Sequence, residues 1–134
     1  MGIVHRDSPI LDHGFTLIEL FVVILILAIL MAIALPLYVA ATANSQKRAC
    51  RENMRTIGNA AQADYYANQR SGYGFYFGGG GSVTVAKCPD LSAVPICPGG
   101  GTYTFQPGGP GGSKFAVQCS IGAHGTFYYG VDSQ

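Results

Sequence analysis

The chain has 134 residues, of which 49% are hydrophobic and 11% charged, and its 8 Lys and Arg side chains nearly balance its 7 Asp and Glu side chains. This length allows one modest domain, and the balanced charge argues against a protein that contacts nucleic acid or another polyanion. Four cysteines in a small, glycine-rich chain favour disulfide bonds formed outside the cytoplasm.

Residues 1–14 form a short polar segment in which Pro9 disfavours a continuous helix. Arg6 is its only fixed cation, and Asp7 and Asp12 oppose that charge. We predict that residues 1–14 are a leader peptide and do not belong to the fold.

The segment that follows is apolar over a length that can cross a membrane. Residues 20–46 carry no charged side chain, and a membrane-spanning helix needs roughly 20 apolar residues. Between Phe15 and Lys47 the only charged side chain is Glu19. Because a carboxylate is costly to bury in lipid unless it is paired, Glu19 is a candidate functional residue.

Residues 14–20, with the sequence GFTLIEL, the apolar run behind them and Pro36 near its end resemble the class III signal of type IV pilins and of the pseudopilins of type II secretion. The resemblance covers about the first third of the chain. It implies cleavage between Gly14 and Phe15 by a prepilin peptidase and methylation of the new amine of Phe15. It also implies that Glu19 neutralises the Phe15 amine of a neighbouring subunit and so fixes the axial register of a filament.

Pro36 lies inside the predicted helix, where proline removes one backbone hydrogen bond and clashes with the preceding turn. We therefore expect a kink or a locally melted stretch there. In pilin-like filaments this position loses helical order on assembly, so the resemblance implies extension at residues 35–37.

Two charge features depart from the family pattern. The leader is not rich in Lys or Arg, and Lys47, Arg48, Arg51 and Arg55 follow the apolar run. The positive-inside rule would place that end in the cytoplasm. The resemblance and the cysteines favour the opposite orientation, with the C-terminal head outside the cytoplasm, and we predict that orientation.

Beyond the apolar run the pattern becomes amphipathic. Apolar side chains recur at steps of three and four residues, at Cys50, Met54, Ile57, Ala61 and Tyr65. This spacing predicts that the helix continues to about residue 68, with one stripe against a sheet. The predicted divisions are a leader (1–14), a transmembrane or filament-core helix (15–41), an amphipathic helix half (42–69) and a disulfide-stapled β head (70–134).

Residues 70–82 are predicted to form a loop with a glycine-rich end. The aromatic side chains Tyr73, Phe75, Tyr76 and Phe77 lie in it. We predict that they fill the space between helix and sheet, in preference to forming contacts between subunits.

The remaining chain contains four candidate strands at residues 82–86, 101–106, 114–120 and 125–130. They predict an antiparallel sheet of three or four strands, with residues 103–106 against 115–118 and a hairpin loop at 107–112. The predicted fold class is α+β and pilin-like, with a long N-terminal helix on a small antiparallel sheet.

The cysteines leave three disulfide pairings open. The predicted hairpin favours Cys97 with Cys119, which leaves Cys50 with Cys88. A competing hypothesis uses Cys88, Cys97, Cys119 and His124 as zinc ligands, but no CxxC knuckle is present. We therefore predict no metal and no cofactor, and His124 is expected to face solvent.

The sequence shows no pattern typical of a catalytic site: it has no Ser/His/Asp catalytic set, no paired carboxylates and no phosphate-binding loop. Asp90 and Asp132 form only a weak calcium pattern. We predict a structural subunit of a type IV pilus-like filament and not an enzyme. Its expected partners are copies of itself, the prepilin peptidase and methylase, an inner-membrane assembly platform and, before assembly, the membrane.

Two alternatives remain open. A pseudopilin of a type II secretion or DNA-uptake machine would share every N-terminal feature. An uncleaved single-span membrane protein with a small binding head, one that could hold zinc, would share the apolar helix and the cysteines.

Overall fold

The computed structural model describes residues 14–108 and 114–131. It contains a long helix α1 (Leu17–Ala67), a one-turn helix α2 (Gly74–Phe77) and a 3₁₀ segment (Gly78–Gly81). Three strands follow, β1 (Tyr103–Gly108), β2 (Lys114–Cys119) and β3 (Thr126–Tyr128), with a second 3₁₀ turn, Gly122–His124, before β3. The α+β, pilin-like fold class predicted from the sequence is confirmed.

The chain divides into two compact units, Met1–Val39 and Ala40–Gln134. The described part of the first unit is the apolar part of α1, whose large side chains are all exposed. The second unit contains the rest of α1 and the sheet, and its core consists mainly of Cys, aromatic and aliphatic side chains. The predicted boundaries at residues 41/42 and 69/70 stay predictions.

The stripe predicted on the second part of α1 is the face that the core covers. Cys50, Met54, Ile57 and Ala61 have no exposed surface, and Tyr65 is partly buried against the same cluster. Gly58 lies on this face, where a Cβ atom would come within 3.3 Å of the Phe127 ring. The helix periodicity of the sequence therefore selects the residues that pack on the sheet.

The sheet is antiparallel with strand order β1-β2-β3. Tyr103 pairs with Cys119 and Gln106 with Ala116, so the register differs by one residue from the predicted pairing of 103–106 with 115–118. The candidate strand at 82–86 is wrong: only Ser82 forms an isolated bridge, with Thr104, and the chain then turns. Strand β1 continues through Gly108, and most of the predicted hairpin loop, residues 109–112, lies outside the described residues.

The predicted loop contains one helical turn, Gly74–Phe77, and an ordered glycine segment behind it in which Gly79 and Gly80 have positive φ angles. Lys87 accounts for part of this order, because its ammonium group donates hydrogen bonds to the carbonyl oxygens of Tyr76, Gly78 and Ser82. Gly81 has φ +73°, and a Cβ atom there would collide with the Phe105 carbonyl. Only glycine fits this backbone position beside β1.

Candidate functional site

The N-terminal candidate site begins immediately before α1. Gly14, Phe15 and Thr16 are non-helical and exposed, and a Cβ atom on Gly14 would meet nothing within 4 Å. The backbone on both sides of the predicted cleavage point is therefore open to another molecule. The fold itself places no steric demand for glycine at residue 14.

Thr16 and Glu19 form a capping box at the start of α1. The backbone N–H and the hydroxyl of Thr16 donate to Glu19 Oε2, at 2.9 and 2.7 Å. In return, the Glu19 N–H donates to Thr16 Oγ1 at 3.3 Å. This reciprocal arrangement satisfies N–H groups that a helix start leaves without partners. Sequence reasoning missed this role of Glu19, although Thr16 and Glu19 have the T-x-x-E spacing that signals it.

Helix α1 continues through Pro36 as one element. No locally melted stretch interrupts α1 in the described part of the chain, and the alternative expectation of a kink at Pro36 stays a prediction. Loss of helical order at residues 35–37 on assembly stays a prediction.

The apolar part of α1 is unusual for a protein surface. Among the described residues, α1 is the one helix long and apolar enough to cross a membrane, and none of its most apolar 18-residue window is buried. Side chains such as Ile24, Leu27 and Leu30 are about half exposed. A contiguous apolar surface of this size indicates contact with lipid or with other protein chains.

The family model for the prokaryotic N-terminal methylation motif matches residues 11–35. The chain carries the class III signal of type IV pilins and pseudopilins. Neither a curated protein nor a solved structure matches the chain. The matched segment contains Gly14, Phe15 and Glu19 and most of the exposed apolar surface, so the class III signal coincides with the N-terminal candidate site.

A second candidate site lies in the second unit, where Cys50, Cys97, Cys119 and His124 meet. All four are buried, and their ligand atoms lie within 4.8 Å of one another. The sulfurs of Cys97 and Cys119 are 3.7 Å apart, in contact but not bonded. The Cys97–Cys119 disulfide stays a prediction, whereas the expectation that His124 faces solvent is wrong.

Cys88 is buried but does not belong to the four-residue cluster that contains Cys50. The Cys50–Cys88 disulfide stays a prediction. The set of Cys88, Cys97, Cys119 and His124 considered from the sequence is therefore replaced by one in which Cys50 takes the place of Cys88.

Cys50 and Cys97 lie in different electrostatic environments. Burial raises the pKa of Cys50 to about 12. Burial also acts to raise the pKa of Cys97, but hydrogen bonds from the backbone N–H groups of Gly99 and Gly101 and contacts with Cys119 and Cys50 bring it down to about 6. The thiolate form is therefore favoured at Cys97 over Cys50.

A third group of polar side chains connects α1 with the aromatic segment, and sequence reasoning missed it. Asp64 is buried and accepts hydrogen bonds from the Arg70 Nε at 2.9 Å, the Tyr76 hydroxyl at 2.6 Å and the Asn68 amide at 2.7 Å. Arg70 also lies over the Phe75 ring, 3.7 Å from its centroid. The sequence does contain a signal for this group, because Asp64 is an acidic residue on the face of α1 that the amphipathic pattern predicts to be buried.

The aromatic segment fills the core as expected. Tyr76 is fully buried and packs against Phe105 and Phe115, with ring centroids 5.4 and 6.1 Å away. Tyr73 stacks on Tyr65 at 4.5 Å. Phe75 remains about half exposed, whereas Phe77, like Tyr73, is partly buried against the core. Tyr73, Tyr76 and Phe77 therefore fill the space between helix and sheet.

Proposed function

We propose that this protein is a structural subunit of a type IV pilus-like filament, processed by a prepilin peptidase and polymerised through residues 15–41. The observation that carries the proposal is the coincidence of the methylation motif at residues 11–35 with a helix whose apolar surface is exposed. The motif points to a structural subunit and not to an enzyme.

Processing removes residues 1–14 and leaves Phe15 as the methylated N-terminus. The exposed, non-helical backbone at residues 14–16 supports this step, since a protease must bind its substrate in an extended form. Because a side chain at residue 14 would meet nothing in this fold, a requirement for glycine there would come from the peptidase.

Polymerisation moves the apolar half of α1 from lipid to contact with equivalent helices. Lipid tails are as apolar as these side chains, so packing and polar contacts between helices decide the association. Glu19 is the charged group in this segment. We assign it the task of neutralising the Phe15 amine of a neighbouring subunit, where a buried pair fixes position more than it adds net stability.

The capping box is compatible with this task. Both Thr16 donors contact Glu19 Oε2, and a carboxylate has a second oxygen that can accept from another group. Glu19 can therefore cap its own helix and bind a neighbouring amine in the assembled state.

Before assembly the protein is an inner-membrane precursor with one spanning helix and its head outside the cytoplasm, and afterwards it belongs to a filament on the outer side. Its partners in this scheme are other copies of the chain, the prepilin peptidase and methylase, and an assembly platform in the inner membrane. The class III signal and the apolar helix support this location.

A pseudopilin of a type II secretion or DNA-uptake machine is the second candidate, because the matched motif is common to both groups. Electron microscopy of sheared cell material separates the two functions. Long surface fibres containing this chain support the pilus subunit, and short or absent fibres support the pseudopilin.

Mass spectrometry of the intact protein, isolated from its own cells, tests the proposal. We expect a chain that begins at Phe15 and carries one methyl group. A chain in which the residues before Phe15 are still attached, unmethylated and monomeric, contradicts the proposal and leaves an uncleaved membrane protein with a small head. A strain lacking the peptidase is the control, and it should contain only the unprocessed form.

A further inference from the structure

The cluster of Cys50, Cys97, Cys119 and His124 has the composition and the dimensions of a metal site. Its members come from four separate segments: Cys50 from α1, Cys97 from the loop before β1, Cys119 from the end of β2 and His124 from the 3₁₀ turn before β3. All four are at least nine-tenths buried. Chain segments this far apart in sequence converge on one point inside the head.

The distances agree with tetrahedral coordination. Zinc binds thiolate sulfur at about 2.3 Å and imidazole nitrogen at about 2.0–2.1 Å, which places neighbouring sulfurs about 3.8 Å apart and sulfur about 3.6 Å from nitrogen. Here Cys97 Sγ lies 3.7 Å from Cys119 Sγ and 3.2 Å from His124 Nδ1, and Cys119 Sγ lies 3.8 Å from the same nitrogen. For these three ligands a central ion requires shifts of only a few tenths of an ångström, and Cys50 Sγ lies within 4.8 Å of each of them.

The number of sulfurs argues for a metal over a disulfide. Three cysteines share the cluster, so a disulfide within it would leave one buried thiol and the imidazole unused. Cys88, the fourth cysteine, is buried but does not belong to the cluster. A metal ion uses all three sulfurs and the histidine, and its binding requires no oxidant.

The groups around the sulfurs support the same conclusion. Gly99 and Gly101 donate backbone N–H groups to Cys97 Sγ, and the Tyr103 hydroxyl donates to Cys50 Sγ at 3.6 Å. The Asn53 amide in turn donates to the Tyr103 oxygen at 3.1 Å. Such outer contacts orient thiolate ligands and stabilise their charge in protein metal sites.

The backbone of the loop after Cys97 passes too close to the cluster for a side chain to fit at two glycine positions. A Cβ atom on Gly101 would lie 2.8 Å from Cys119 Sγ, and one on Gly99 would lie 3.0 Å from His124 Cε1. Glycine at these two positions lets the backbone approach the sulfur and the imidazole closely.

We propose that Cys50, Cys97, Cys119 and His124 bind one zinc ion in a structural site that joins α1 to the sheet. Three soft thiolates and one imidazole in a tetrahedron are typical ligands of zinc. Four protein ligands leave no open position, so the site stabilises the fold and does not catalyse a reaction. On binding, Zn²⁺ replaces the thiol protons, which pass to solvent. The inference is independent of leader cleavage and of filament assembly.

The test uses the full chain, extracted from membranes in detergent without reductant or chelator. Elemental analysis is expected to find about one zinc per chain, and X-ray absorption at the zinc edge is expected to find three sulfur neighbours and one nitrogen neighbour. These two measurements on the unaltered protein need no variant, so they stay decisive if a ligand substitution prevents folding.

Ligand variants have a matched control in the same chain. Cys50→Ser and His124→Ala should lower the zinc content at least about tenfold, whereas Cys88→Ser, at a buried cysteine outside the cluster, should retain it. After zinc is removed, Co²⁺ added as a probe should give the visible spectrum of a tetrahedral thiolate site in the unaltered chain and in Cys88→Ser.

Several results would overturn the proposal. A zinc-free chain whose intact mass is two hydrogens lower shows a disulfide in place of the metal. Zinc bound by fewer than three sulfurs, or full zinc content in Cys50→Ser, shows that this ligand set is wrong. None of these results bears on the processing of Phe15, which is measured separately.

Discussion

The two parts of α1 have the same backbone conformation but opposite surroundings. In residues 17–39 the apolar side chains are exposed on every side, whereas in residues 50–64 one apolar stripe is buried and the other faces remain polar. The first part has no core within the described chain, and the second part has one. The first part therefore needs other molecules to cover it, whereas the second part packs against the sheet and the aromatic segment and so contributes to the core of the head.

The largest expected effect concerns Glu19, in the first part. Glu19→Gln keeps an acceptor for the Thr16 donors, because Gln serves as well as Glu in a capping box, but it removes the charge. Glu19→Ala removes both. If the charge fixes the register, the filament yield of both variants should be at least about tenfold lower than that of the unaltered chain. The yield is measured as the amount of sheared fibre relative to the amount of the protein in the membrane.

The two Glu19 variants separate the cap from the charge. Normal filament yield from Glu19→Gln, with a loss only in Glu19→Ala, would assign the importance of this residue to the helix cap. Thr16→Val is the matched control, since it removes the hydroxyl partner and leaves the carboxylate in place. Both Glu19 variants should still insert into the membrane and be cleaved.

A second prediction compares the two parts of α1 with the same substitution. Met54 is fully buried, whereas Met31 is 66% exposed. Met54→Ala should lower the free energy of unfolding of the head by about 2–5 kcal/mol because it leaves a cavity. Met31→Ala should leave that free energy unchanged in detergent. Urea unfolding followed by tyrosine circular dichroism measures both, and equal effects would contradict the division of α1 into an exposed and a buried part.

The smallest expected effect concerns pH and the second part. Burial acts to raise the pKa of Asp64, but the hydrogen bonds from Arg70, Tyr76 and Asn68 outweigh it and lower the pKa overall. A lowered folded pKa means that the stabilisation is present above the ordinary value of about 3.9. It is lost as the pH falls through the folded value.

Acidification should therefore lower the free energy of unfolding of the unaltered head more than it lowers that of the Asp64→Asn variant. The difference is expected to be on the order of 1 kcal/mol, because solvent screens part of the Arg70 interaction. Unfolding at pH 6 and at about pH 3 in both proteins measures it, and the comparison removes the contribution of other titrating groups. An identical pH dependence in the two proteins would show that folding does not shift the pKa of Asp64.

If the cysteines bind zinc, they no longer support the orientation that places the head outside the cytoplasm. In the sequence alone the cysteines indicate an oxidising compartment, whereas zinc-bound thiolates are compatible with either side of the membrane. The orientation then depends on the class III signal, against the four cations at residues 47–55. Reaction of Lys47 with a membrane-impermeant amine reagent in intact cells with a permeabilised outer membrane would decide it.

The sequence by itself determined the features that depend on neighbours along the chain. Helical periodicity identified the stripe from Cys50 to Tyr65, residues 14–20 identified the class III signal, and turn residues separated the strands of the sheet. These signals are local, because a helix or a hairpin is defined by spacings of two to four residues.

Only the tertiary structure decided which distant residues meet. It placed Cys50 with Cys97, Cys119 and His124, excluded Cys88 from that cluster, and buried Asp64 against Arg70 and Tyr76. It also set the register of β1 on β2 one residue away from the predicted one. These outcomes depend on how the helix packs on the sheet and on the path of loops with unusual glycine conformations, and spacing along the chain carries no record of either.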